Sequence, residues 1–166
     1  VSIMQRIANL LAIQDGQVLL LKKPRRGWYV APGGKMESGE SIVESAVREF
    51  QEETNVTPKN AHLKGVYTIV VKDGDQVIEE WMLFTFVATG VEGTPDKENR
   101  EGILEWRPIQ DLHHLPMAEG DRKILLFAAL NKGIQYGTCI YTKDYELIEA
   151  KYQTSMELIE GDESNG

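Results

Sequence analysis

Residues 31–56 read APGGKMESGESIVESAVREFQEETNV, and no other stretch restricts the fold as tightly. The first ten hold Pro32, Gly33, Gly34 and Gly39, which break regular structure and mark an irregular loop. Ser41 with Glu44 reads as a capping box. Val43, Ala46, Val47 and Phe50 then recur at the helical period. Asn55 suits a left-handed cap, and Pro58 follows it. The reading is a Gly-rich loop feeding a helix over residues 41–54, with the stripe from Val43 to Phe50 buried.

Three glutamates crowd that helix: Glu49, Glu52 and Glu53. Their i, i+3, i+4 spacing puts them on one face, within about 100° of arc. Like charges so placed repel by a few tenths of a kcal/mol per pair, and Arg48, four residues before Glu52, offsets part of that. Most charge-rich helix faces are simply solvated. Converging carboxylates, however, also suit a hard divalent cation such as Mg²⁺ or Mn²⁺. A Gly-rich run entering a helix N-terminus brings backbone close to a ligand and offers N–H groups to phosphate. The acidic stripe lies roughly 110° from the apolar one, so one face is expected to be buried and the other exposed.

Gly34, five residues, Glu40, seven residues and then the run Arg48 to Val56 keep the spacing of the Nudix box throughout. One position departs: Asn55 stands where that family usually has Gly, and Asn is the next best residue for a positive φ. The chain thus resembles Nudix hydrolases, which cleave nucleoside diphosphates linked to another moiety. The resemblance implies an α/β/α sandwich with a mixed central sheet over residues 4–131, and a Mg²⁺ or Mn²⁺ cofactor. It assigns Glu49 and Glu53 as the main metal ligands and Glu52 as a further ligand or water-orienting carboxylate. It also implies that the Gly33 carbonyl joins the metal shell, that Arg48 orients the glutamates, and that Glu40 is structural. Family members often add a carboxylate before a late strand; in DKENREGILEW, residues 96–106, Glu101 is the candidate, with Glu98 behind it. Most of the chain is similar to MutT-type enzymes, described as 8-oxo-dGTP diphosphatases. The run KPRRGWYVAPGGKMESGES is similar to a Firmicutes Nudix hydrolase of guanosine polyphosphate alarmones. Both imply a guanine nucleotide without choosing between the two.

Residues 21–30, LKKPRRGWYV, carry Lys22, Lys23, Arg25 and Arg26 in an otherwise acidic chain. Guanidinium forks and ammonium groups suit phosphate, so Lys23, Arg25 and Arg26, with Gly34, are candidate substrate contacts; a solvated loop is the plain alternative. Trp28 is either a stacking partner for a base or a core residue.

A chain of 166 residues can bury one core. A net charge of −8 argues against long nucleic acid but not against a small nucleotide, whose charge metals offset. No apolar run spans a membrane, no signal peptide is read, and the single Cys139 fits a reducing cytoplasm. Hairpins are expected at Asp15-Gly16, at Asp73-Gly74-Asp75 and at Lys143-Asp144, and a second helix over RKILLFAALNKG. We read one domain over 4–153. Its closing hairpin, 136–152, lies outside the family pattern and is expected to be structural or to mediate a homodimer. The acidic tail, 154–166, is expected to fray. A nucleotide-sensing domain with little turnover and an RNA 5′-pyrophosphohydrolase are the competing functions. The intact glutamates weigh against the first and the acidic charge against the second.

Overall fold

Asp15 and Gly16, at φ 53° and 74°, turn β1 (Gln5–Gln14) back into β2 (Gln17–Lys22). In the computed structural model, which describes residues 4–157, the chain continues through β3 (Tyr29–Val30), β4 (Gly33–Lys35), α1 (Ile42–Thr54) and β5 (Thr57–Pro58). Then come β6 (His62–Asp73), β7 (Gln76–Ala88), β8 (Val91–Glu92), β9 (Glu98–Asn99) and β10 (Gly102–Pro108). A 3-10 turn (Ile109–His113), α2 (Glu119–Leu130), β11 (Gln135–Thr142) and β12 (Leu147–Thr154) complete it. The main sheet runs β12-β11-β6-β7-β1-β2-β10-β9, with β3 on β2 and β4 on β1. It is mixed: β1 pairs with β7, and β11 with β6, in parallel.

Strand alternation decides the layering. Ala8, Leu10, Leu19, Leu21, Phe86 and Ala88 pack with Ala46 and Phe50 of α1. Their neighbours Leu11, Val18, Leu20 and Val87 point the other way and pack with Leu125 and Ala128 of α2. One helix on each face makes the expected α/β/α sandwich.

The caps of α1 follow the sequence reading. Ser41 Oγ accepts from the Glu44 N–H at 3.2 Å, and Asn55 takes the left-handed conformation, φ 63°. The burial does not. Ser45, Ala46, Phe50, Glu53 and Thr54 face inward, whereas Val43 is 38% exposed. The helix is rotated so that part of its acidic face turns inward, and the Gly33 N–H satisfies the Glu53 carboxylate there at 2.7 Å.

Gly33 and Gly34 are not in an irregular loop. They form β4, antiparallel to β1. Their lack of a side chain matters for closeness rather than for φ. A Cβ on Gly33 would sit 2.4 Å from the Ala8 carbonyl oxygen, and one on Gly34 2.4 Å from the Glu49 carboxyl carbon.

The closing hairpin extends the central sheet, β11 lying beside β6. The segment expected to fray from Thr154 is hydrogen-bonded through Glu157, each residue's N–H donating to the other's side chain at 3.1 Å. Residues 158–166 lie outside the described residues. No helix among the described residues is long and apolar enough to cross a membrane.

Candidate active site

Arg48 is the hub of the carboxylate cluster. Its guanidinium donates to Glu40 at 2.7 and 3.0 Å, to Glu49 at 3.0 Å, to Glu52 at 3.3 Å and to the Lys35 carbonyl at 3.1 Å. These bonds, with that to Glu40 foremost, hold the arginine firmly charged. The Glu40 carboxyl is lowered in turn, first by Arg48 and then by the Glu37 N–H. Glu40 therefore ties the entry loop to the helix, and Arg48 fixes where Glu49 and Glu52 point.

Glu53 stands apart from that network. Burial first, then the neighbouring Glu101 carboxyl, pushes its pKa up to about 9, against a smaller lowering by the Gly33 N–H. Glu101 moves down, through its hydrogen bond with Glu53 and the nearby Lys23 ammonium. A hydrogen bond between two carboxyls needs a proton on one of them, and burial favours Glu53 as its carrier. Lys23 Nζ lies 3.4 Å from Glu101.

Asn99, which the sequence reading passed over, clamps this pair. Its amide donates to the Glu53 carbonyl at 2.7 Å, and its Oδ1 accepts from the N–H groups of Glu101 and Gly102 at 2.7 and 3.1 Å. Glu98, in the same strand, is exposed. Asn55 reaches Asp96 at 2.9 Å, fastening the end of α1 to the same segment.

The expected convergence of Glu49, Glu52 and Glu53 takes a different form. Among the described residues no three acidic or imidazole groups close into a ready-made ligand set. Arg48 draws Glu49 and Glu52 to itself, and Glu52 remains 58% exposed, while Glu53 pairs with Glu101. The donor set still fits a hard cation. A buried carboxyl with a raised pKa, a second one against it and a third cradled by Gly34 are oxygen donors whose charge the protein balances only in part.

A cavity of about 490 Å³ adjoins the cluster through Lys23. Arg25, Arg26 and Trp28 line it, together with Ile69, Trp81, Leu83, Ala118, Asp121, Tyr141 and Tyr145. The Arg26 guanidinium lies 5.0 Å from the Trp28 ring centroid, so Trp28 is a cavity wall rather than a core residue. Asp121, near the start of α2, is partly buried there and has no side-chain hydrogen bond among the described residues; desolvation pushes its carboxyl up to about 6. Trp81, Asp121, Tyr141 and Tyr145 carry no sequence motif and were not foreseen. The hairpin expected to be structural or to mediate a homodimer supplies two of them.

The NUDIX domain model matches residues 4–127. An uncharacterized Nudix hydrolase of Bacillus subtilis, YvcI, is 50% identical over 145 residues, covering 87% of this chain and 92% of its own. The crystal structure of a mutator MutT protein from Bacillus halodurans superposes with a TM-score of 0.88 at 48% identity, covering 90% of this chain and 98% of that one. A shorter stretch, 36% of this chain, is 41% identical to 37% of an ADP-ribose pyrophosphatase of Methanocaldococcus jannaschii. Box spacing, layered fold and these likenesses agree, and the chain belongs to the Nudix family of hydrolases.

Proposed function

We propose that this chain is a Mg²⁺- or Mn²⁺-dependent pyrophosphohydrolase of guanine nucleotides, of the 8-oxo-dGTP type or of the guanosine polyphosphate alarmones. Nudix hydrolases generally use divalent metal ions and act on small nucleotides. The observation that carries the reading is the junction at Lys23, which pairs with Glu101 on one side and lines the aromatic cavity on the other.

Glu49, Glu53 and Glu101, with Glu52 and the Gly33 carbonyl, would hold the cation. When bound, it supplies positive charge to the phosphoanhydride and Lewis acidity at phosphorus. Arg48 keeps Glu49 and Glu52 aimed. In the metal-free fold burial and Glu101 raise the Glu53 pKa, so this pair would give up a proton when a cation binds. Water attacks phosphorus, one P–O bond forms, and the bridging P–O bond breaks. Lys23, Arg25 and Arg26 bind phosphate oxygens, and Trp28 stacks on the base. The free Asp121 carboxylate accepts from an imide N–H and an amino group side by side, which is the edge that guanine presents. The buried, unpaired Cys139 agrees with a cytoplasmic setting.

The test is a substrate panel with Mg²⁺ and with Mn²⁺, products resolved by chromatography: 8-oxo-dGTP, GTP, ppGpp, ADP-ribose, a dinucleoside polyphosphate and triphosphorylated RNA. The expected result is highest catalytic efficiency on a guanine mononucleotide. Preference for ADP-ribose or RNA, or binding without turnover, overturns the reading.

A further inference from the structure

We infer that the C-terminal hairpin is part of the substrate site, with Tyr145 at its tip a specificity-determining residue that closes the cavity over a planar base. The inference rests on the base-in-cavity reading above. It concerns a segment that lies wholly beyond residues 4–127, the part matched by the family model.

Four observations place Tyr145 in that role. First, the cavity walls come from distant segments: Trp28 from the loop before β3, Trp81 from β7, and Tyr141 and Tyr145 from the hairpin. Without the hairpin one aromatic wall is gone. Second, Tyr145 adopts φ 63°, a left-handed conformation that Gly or Asn takes with less strain. A bulky ring stands where turn geometry alone favours a smaller residue. Third, the ring is 40% exposed yet placed, its centroid 6.3 Å from that of Tyr141 and tilted by 59°. Tyr141 is itself anchored: its hydroxyl fills the space beside Gly120, where any Cβ would collide with it. The hairpin is thereby keyed to the N-terminal turn of α2, one residue from Asp121. Fourth, Tyr145 and Trp81 both line a second cavity of about 550 Å³ that also includes Glu79 and Glu80. Trp81 and Tyr145 thus stand between a cavity lined by Lys23, Arg25 and Arg26 and one lined by Glu79 and Glu80. Charge favours an anionic nucleotide in the first.

The probes are GMP, which has no phosphoanhydride to cleave, and ribose 5-phosphate, which has the same phosphate and sugar but no base. Binding is read by quenching of the cavity tryptophans. In the wild-type protein GMP is expected to bind more tightly than ribose 5-phosphate. Tyr145→Ala should weaken GMP about tenfold, the loss of one stacking partner, and leave ribose 5-phosphate unchanged. Tyr145→Phe, which keeps the ring, should stay within about twofold of wild type for both. GMP affinity untouched by Tyr145→Ala overturns the inference alone. Equal losses on both ligands also overturn it, since Tyr145 then serves the fold or the phosphate loop. A wild-type protein that does not distinguish GMP from ribose 5-phosphate overturns the base-site reading and this inference with it.

Discussion

Arg48 answers to four carboxylates and a backbone carbonyl, whereas Asp121 answers to no partner among the described residues. The two residues mark the two ends of the proposed site. At the box end the charged groups are paired through Arg48 and the Gly33 N–H, so their geometry is set before any substrate arrives. At the cavity end a partly buried carboxylate has no side-chain partner among the described residues, which leaves an acceptor for a ligand to satisfy. The contrast suggests a division of labour. One region is preorganised for chemistry, and the other is left incomplete for recognition.

Glu53→Gln should produce the largest effect. Removing a ligand charge is expected to lower kcat about a thousandfold. The melting temperature should hold, because burial raises the Glu53 pKa and Gln keeps the shape and an oxygen to accept from the Gly33 N–H. Retention of more than a tenth of the turnover would remove Glu53 from the principal ligands.

Next comes the cationic loop. Neutralising Arg25 and Arg26 together should cost roughly ten- to a hundredfold in kcat/KM on ppGpp, the scale of one charge-assisted contact. The loss on 8-oxo-dGTP, which lacks a 3′ diphosphate, should be much smaller. Equal losses would assign the arginines to the shared phosphates and remove the support for an alarmone.

Asp121→Asn sharpens the comparison because recognition and stability should move in opposite directions. GMP binding should weaken about tenfold. The Asp121 pKa is raised from 3.8 to about 6, so the folded state binds its proton more tightly than the unfolded chain does. Its ionisation therefore opposes folding, by nothing below pH 4 and by up to about 3 kcal/mol above pH 6. The Asn variant should melt higher than wild type at pH 8, with the gain fading as pH falls toward 4. A lower melting temperature at pH 8 would mean the carboxylate has a partner in the fold.

The smallest effect is expected at Val43. With that side chain exposed, Val43→Ala should change stability by less than about 0.5 kcal/mol. Phe50→Ala, two turns further along the same face and in the core, should cost about 3–5 kcal/mol. Urea denaturation of both variants checks how burial changes along that face of α1.

Val43 also shows where sequence reasoning stops. The box is local: Gly33 to Val56 form one strand-loop-helix unit, so spacing and capping chemistry suffice to place Arg48, Glu49 and the Asn55 cap. How far the helix rolls on the sheet is a tertiary matter. It is decided by the Gly33 N–H reaching Glu53 and by Glu49 fitting against Gly34, and helical periodicity does not encode either contact. The cavity is non-local throughout. Trp28, Trp81, Asp121 and Tyr145 meet only because β11 docks in parallel on β6 and carries the hairpin beside β7's partner strand. Taken singly, each reads as an ordinary strand, helix or turn residue. Asn99 lies between these cases. Its place just before the Arg100-Glu101-Gly102 turn is a signal that turn chemistry could have used.

The central claim is that a divalent cation takes the place of the proton held between Glu53 and Glu101. Calorimetric titration of Mg²⁺ at pH 8, in two buffers of different ionisation enthalpy, measures it directly. Wild-type protein is predicted to release about one proton per bound cation, and Glu53→Gln to bind more weakly and release none. No release from the wild type, or the same release from both proteins, would place the cation elsewhere and contradict the account.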